Sequence, residues 1–215
     1  MPDDVNRPTR SYDASGRRAR ALASRRAVIA AAQELLEEVG YSATTVVEVA
    51  RRAGVSPESI YKGFGTKAAL VKVVFDVAIA GDDDPVPVAE RPEALAIRAE
   101  PDVREKLRLY AAGAARRGAQ SARVQLALRN GAHSDPAIAE LWATLQDERL
   151  AGMTMVARHL VDTGQLRAGI GVEEARDVLW ACIAVEVFDL LVLQRGWTVE
   201  AYADWLSRTL AASLT

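Results

Sequence analysis

The residues best suited to chemistry lie in one short polar run, Ser56-Pro57-Glu58-Ser59-Ile60-Tyr61-Lys62. The chemistry they suit is recognition of nucleic acid. Ser59 can donate to or accept from several bases, Glu58 can accept from a cytosine amino group, and Lys62 can bind guanine or a phosphate. Tyr61 has a phenol long enough to reach a phosphate oxygen. Plain alternatives exist: Glu58 in a first helical turn complements the helix dipole, and Tyr61 can wedge between helices. Thr45 and Lys67 stand at helix starts, where free amides suit phosphate oxygens, although each can simply cap or solvate its helix.

Positioning such a run requires short elements held at a fixed angle, and the flanking sequence supplies them. From about Ser24, the residues Val28, Ala32, Leu35, Leu36 and Val39 recur at helical spacing until Gly40 ends the pattern. Thr45-Val46-Val47-Glu48 reads as a capping box, with Thr45 as N-cap and Glu48 reaching back to its amide. Val46, Val49, Ala50 and Ala53 form one stripe, and Gly54 ends a helix of little more than two turns. Ser56 and Pro57 are an N-cap and a first helical position, and Ile60 continues the apolar face. Gly63 and Gly65 close this third helix, and Thr66-Lys67 starts a fourth with Leu70, Val73, Val74 and Val77. Helix, glycine-containing turn, helix is the helix-turn-helix pattern.

The chain has 215 residues, half of them hydrophobic, enough for a large core. Few aromatics and short β-branched runs predict an all-α fold of about nine helices. We expect a flexible basic arm over 1–23 that includes Arg7, Arg10, Arg17, Arg18 and Arg20. A DNA-binding unit is expected over 24–80, a Pro- and Asp-rich linker over 81–100 with one helical turn at Glu93–Ala99, and a larger helical unit over 101–215. In the last unit helices are expected near 101–117, 120–131, 135–163, 172–195 and 198–213. Residues 1–75 carry a formal charge of +4 and the remainder −6, so the two halves suit different partners. The lone Cys182 makes no internal disulfide, and no apolar run is long and charge-free enough to span a bilayer; a cytoplasmic, nucleoid-associated protein without membrane contact is expected.

Catalysis is not expected. Glu37-Glu38 and Glu173-Glu174 are adjacent and point apart, His133 and His159 are the only histidines, and no metal-ligand spacing or Gly-rich phosphate loop occurs. No cofactor or metal is called for. Trp142, Met153, Met155, His159 and Trp180, with Glu186, are candidates for a small-molecule pocket; the plainer reading of the first five is core, and of Glu186 an arginine's partner across a dimer or a solvated acid. Between Leu179 and Leu193 almost no side of the helix is polar. Such a helix needs partners inside the subunit and across a symmetric interface.

The segment RRAVIAAAQELLEEVGYSATTVVEVARRAGVSPESIYKGFGTKAAL, 25–70, resembles the DNA-binding domain of the tetracycline-repressor (TetR) family of bacterial transcriptional regulators. The likeness rests on Gly40-Tyr41, Thr44-Thr45-Val46, Val49-Ala50, Ala53-Gly54-Val55-Ser56, Ile60-Tyr61, Phe64-Gly65 and Lys67 before Leu70. It implies that the third helix enters the major groove, lined by Pro57, Glu58, Ser59, Tyr61 and Lys62, with Thr45 and Lys67 on phosphates. Pro57-Glu58 and Lys62-Gly63 depart from the common pattern, so no operator sequence carries over. The resemblance also implies a C-terminal half that binds small molecules and dimerises through its last two long helices. The expectation is a homodimeric repressor released from a pseudo-palindromic double-stranded operator by an effector. The alternative is a DNA-binding dimer whose C-terminal half docks a protein.

Overall fold

The computed structural model describes residues 14–215, and among them all regular structure is helical. The first helix, α1 (Ala14–Ala43), buries Val28, Ile29, Ala32, Leu35 and Leu36 along one face. Gly40 interrupts it with φ 75° and ψ 175°, a conformation that suits glycine, and one further turn carries Tyr41 inward. The expected arm thus divides. Residues 1–13, with Arg7 and Arg10, lie outside the described residues, whereas 14–23 are already helix. That stretch is rich in Ala and Arg, good helix formers, but has no apolar stripe, so periodicity did not announce it.

Three short helices follow. They are α2 (Val46–Ala53), α3 (Pro57–Phe64) and α4 (Lys67–Ala80), with Thr45, Ser56 and Thr66 as N-caps whose hydroxyls accept from Glu48, Ser59 and Ala69 amides. The capping box is only half made: the Glu48 carboxylate turns away from Thr45 and takes the Arg51 guanidinium side-on, at 2.9 and 2.6 Å. Gly54 adopts the left-handed conformation (φ 67°), and Val55 N–H returns to Ala50 C=O at 3.0 Å, closing the turn between α2 and α3.

A 3₁₀ turn (Val88–Glu90) and α5 (Pro92–Ala99) occupy the expected linker. The two helices expected near 101–117 and 120–131 are one, α6 (Val103–Gly131), because Gly118 is no stop. It is a notch: a Cβ there would lie 2.6 Å from Phe188 Cδ2. α7 (Pro136–Asp162) is as expected, with Asp135 as N-cap. The helix expected over 172–195 is broken. α8 (Val172–Cys182) stops, Ala184 is extended (ψ 140°), α9 (Val185–Phe188) restarts, and a π-helical turn runs over Asp189–Gln194. Side chains from elsewhere cap the break, Tyr202 O–H donating to Cys182 C=O at 3.3 Å and Arg149 donating to Trp180 C=O. α10 (Val199–Leu214) closes the chain and buries Tyr202, Leu206, Leu210 and Leu214 at four-residue spacing.

Two packed clusters result. One joins α1–α4 to Val124 and Leu128 of α6 and to Ile138 and Leu145 of α7. The other joins α6–α10 around Leu107, Tyr110, Leu160, Leu179, Phe188 and Leu206, with Trp142 touching both. Within the first cluster, the seam that joins α1–α4 to α6 and α7 centres on Tyr41. A Cβ on Gly131 would meet Tyr41 ring and Cβ atoms at 2.8–2.9 Å, so only glycine admits the ring. Tyr41 O–H donates to Asp135 Oδ2 at 2.7 Å, and Lys67 Nζ donates to Tyr41 C=O at 2.7 Å while lying 3.7 Å from the ring centroid. Burial and the Asp135 hydrogen bond push the phenol pKa up, and the same bond holds the Asp135 carboxyl below its ordinary range.

Two outcomes follow from the seam. Gly131→Ala should displace Tyr41 and destabilise the fold by about 1–3 kcal/mol, read as a lower melting temperature. A depressed carboxyl pKa in the folded state gives stability that is complete above the unfolded value, about 3.9, and is lost as pH falls through the folded one. Asp135→Asn, which keeps an N-cap, should therefore melt earlier than wild type at pH 7 and approach it towards pH 3. A melting difference that stays constant over that range would remove the ionised Asp135 from the account.

Candidate nucleic-acid interface

α3 has eight residues and buries Ile60 as its anchor in the first core. Around that anchor Glu58, Ser59, Tyr61 and Lys62 are exposed and Pro57 is half-buried, so the polar run faces outward as its composition suggested. Tyr61 is 55% exposed, which removes the alternative of a wedge between helices. Lys62 forms no ion pair among the described residues. Ser59 Oγ lies 3.1 Å from Ser56 Oγ and can turn to an external partner without breaking the Ser56–Ser59 backbone cap. Glu58 is held below its ordinary pKa by its own backbone amide and by the Ser56 hydroxyl, so the carboxylate is occupied at the helix start and the dipole-complementing reading has a geometric basis.

The flanking helix starts are exposed as well. Thr45 is exposed and caps α2. Thr66 does the same at α4. Lys67 is placed differently from a free phosphate ligand: its ammonium points inward to Tyr41, and burial lowers its pKa, with Asp135 partly offsetting this. Lys67 is first of all part of the seam, a role invisible to local reasoning because its acceptor lies 26 positions earlier. Sequence reasoning also passed over Val47, 67% exposed on the first turn of α2. The signal was present, since Val47 is off the Val46, Val49, Ala50, Ala53 stripe. An exposed valine beside a groove-sized helix is suited to thymine methyl groups. Arg51 is exposed but already paired with Glu48, and Arg52 binds Glu38 at 2.9 Å. Arg17, Arg18 and Arg20 lie on the exposed start of α1.

The expected pocket residues do not converge in one cavity. Trp142 lies between the two cores. His159 Nε2 is 3.0 Å from the buried Lys106 Nζ and 3.1 Å from Arg98 C=O. Met155 is 53% exposed. Met153, Trp180 and Glu186 come closer to a common centre: Tyr110 O–H donates to Met153 Sδ at 3.0 Å, Arg149 stacks 3.8 Å over Trp180, and Glu186 is within electrostatic reach of Arg149 while its Oε1 accepts from Arg129 at 2.8 Å. A surface cleft between the start of α6 and the end of α10 is lined by none of these. No helix among the described residues is long and apolar enough to cross a membrane.

Known proteins share both the segment and the architecture. The family described as bacterial regulatory proteins, tetR family, matches residues 28–74, which span α1 from its first buried valine to α4. An HTH-type transcriptional regulator of Bacillus subtilis (strain 168), YdeS, is 44% identical over 62 residues, 29% of this chain and 31% of that protein. The match thus spans about a third of the relative's length. NalD of Pseudomonas aeruginosa, the secondary repressor of the MexAB-OprM multidrug efflux pump, superposes with a TM-score of 0.69 at 21% identity, covering 92% of this chain and 98% of its own. FadR from Bacillus subtilis, solved with stearoyl-CoA, gives 0.68 at 20% identity over 88% and 99%. At such identities the superpositions establish the fold. Residues 28–74 are thus similar to the tetR family of bacterial regulatory proteins, and the described residues share the fold of these solved structures.

Proposed function

We propose that the protein is a dimeric, DNA-binding transcriptional repressor whose two copies of α3 enter successive major grooves and whose body responds to a small molecule. The observation that carries this reading is α3 itself, eight residues capped at Ser56, anchored by Ile60, and otherwise turned outward. A helix of that size fits the major groove, and its N-terminal residues reach base edges. Ser59, Lys62 and Tyr61 are the base- and backbone-reading side chains, with Pro57 and Glu58 at the leading edge. The exposed hydroxyl caps at Thr45 and Thr66 mark two further helix N-termini suited to phosphates.

Dimerisation through the last helices is supported by apolar side chains left open there: Leu190 is 54% exposed, and Leu193 and Trp197 are each 37% exposed. Consecutive major-groove faces are roughly 34–36 Å apart, so the separation of two heads decides whether both bind. The Tyr41 seam ties each head to α6 and α7, which gives movements of the body a direct mechanical route to α3. NalD is a repressor and FadR was solved with stearoyl-CoA, and both share this fold, which supports the repressor and effector parts of the reading.

Selection of genomic fragments by the purified protein, followed by gel shifts with variants, tests the reading. Ser59→Ala and Lys62→Ala should change which base pairs matter, at about 1–3 kcal/mol per altered contact, with folding unchanged. Lys67→Ala separates two roles: loss of melting temperature with an unchanged salt slope assigns it to the seam, whereas a slope reduced by about one charge assigns a phosphate as well. Leu193→Arg should give monomers by sedimentation and abolish operator binding. Unchanged fragment preference in both the Ser59 and Lys62 variants would remove α3 as the reading element.

A further inference from the structure

Arg149, on α7, carries hydrogen-bonding capacity that the fold does not use. Its Nη1 donates to Gln146 Oε1 at 3.0 Å and its Nη2 to Trp180 C=O, and its Cζ lies 3.8 Å from the Trp180 ring centroid. Its Nε is buried and finds no acceptor among the described residues. A buried donor left without an acceptor is costly, more so on a charged group. No carboxylate neutralises the charge directly: Glu186, the acid within electrostatic reach, has its Oε1 on Arg129. The other groups acting on Arg149 are the phenols of Tyr110 and Tyr202, both pushed up to about 12 by burial, and hence neutral. The Tyr110 hydroxyl is spent on a thioether, a weak acceptor.

Elsewhere in this molecule arginines show what such an edge takes. Arg51 holds Glu48 side-on through Nε and Nη2 at 2.9 and 2.6 Å, and Arg108 holds Glu105 the same way at 2.7 and 2.6 Å. Two parallel N–H donors match the two oxygens of a carboxylate. On Arg149 the corresponding edge has one donor unpaired and the other on a backbone carbonyl. The Trp180 ring lies against the guanidinium, and Met153, one turn further along α7, is held by Tyr110, which is within electrostatic reach of Arg149. Backbone geometry makes the Trp180 carbonyl available. In an unbroken helix it would accept from the Ala184 amide, but at the break that amide goes to Ala181 C=O at 3.3 Å.

We propose that Arg149 is the anchor of an effector site for a small carboxylate with an apolar or aromatic body. The ligand's carboxylate takes the Nε–Nη2 edge, and its body lies along the Trp180 and Met153 side. Binding replaces the Trp180 carbonyl as the partner of Nη2 and so removes a cap from the break between α8 and α9. Just beyond that break, Glu186 holds Arg129, two residues from the Gly131 that seats Tyr41. The proposal rests on the reading of the protein as an effector-responsive regulator and specifies the chemical class of the effector.

The test uses the full-length protein, titrated with hexanoate and phenylacetate and, in parallel, with hexanamide and phenylacetamide, and followed by tryptophan fluorescence. The expected result is a saturable change with at least one carboxylate and binding of its amide roughly tenfold to a hundredfold weaker. Arg149→Lys, which keeps the charge but loses the side-on edge, should weaken the carboxylate by about tenfold or more. No saturable response to either carboxylate, equal binding of acid and amide, or an undiminished response in Arg149→Lys overturns the proposal. Should that variant fail to fold, the acid–amide contrast on the wild-type protein still decides. DNA binding is scored separately. A protein that binds carboxylate but no genomic fragment sinks the regulator reading alone, and one released from DNA only by neutral compounds sinks the anion anchor alone.

Discussion

Tyr41 is the constraint on which the arrangement of this molecule depends. It follows a glycine that ends the long run of α1, and its ring enters a space on α6 that exists because Gly131 has no side chain. Its hydroxyl and its carbonyl are both occupied, by Asp135 at the start of α7 and by Lys67 at the start of α4. Four elements thus meet at one residue, and each contact fixes a different degree of freedom. The ring sets the distance between head and body, the hydroxyl sets its rotation about α1, and the Lys67 bond sets the orientation of α4. A head attached through an apolar face alone could slide; one attached through directional bonds to half-buried groups keeps its angle.

Given that fixed frame, α2 and α3 can be short. Helices of eight residues are not stable by themselves, and their stability here comes from caps at both ends and from a few side chains sunk into a shared core. Only Ile60 of α3 is fully buried, which leaves nearly its whole polar circumference free. Stability of the pair is supplied by the core shared with α1, α4 and the ends of α6 and α7, and the outward face of α3 carries little structural duty. The body uses a comparable device on a larger scale: α8 is interrupted, and the liberated carbonyls are taken by Arg149 and Tyr202 from α7 and α10.

Much of the head was legible in the sequence because its determinants are local. Thr45, Ser56 and Thr66 cap amides within three residues, Gly54 closes its turn within five, and the apolar stripes repeat within two turns. What stayed hidden depends on partners far along the chain. The Glu48 carboxylate had two local options, Thr45 and Arg51, and charge favoured the arginine. Lys67 looked like a free cation until Tyr41 was placed beside it. The gap expected between 117 and 120 is absent, and Gly118 within it is a seat for Phe188, 70 positions later. The break at 183–184 has no local breaker residue and is supported by Arg149 and Tyr202. Candidate pocket residues were chosen by size and softness, and Arg149, the residue with unused capacity, was overlooked because an arginine on a helix reads as solvated surface.

The central claim is that two symmetry-related copies of α3 are read by double-stranded DNA at one helical pitch. Hydroxyl-radical footprinting of the purified protein on its selected genomic fragment measures this directly. The account predicts two protected patches on one face of the duplex, related by two-fold symmetry and with centres about 10 base pairs apart. A single unsymmetrical patch, or uniform protection independent of sequence, would contradict it.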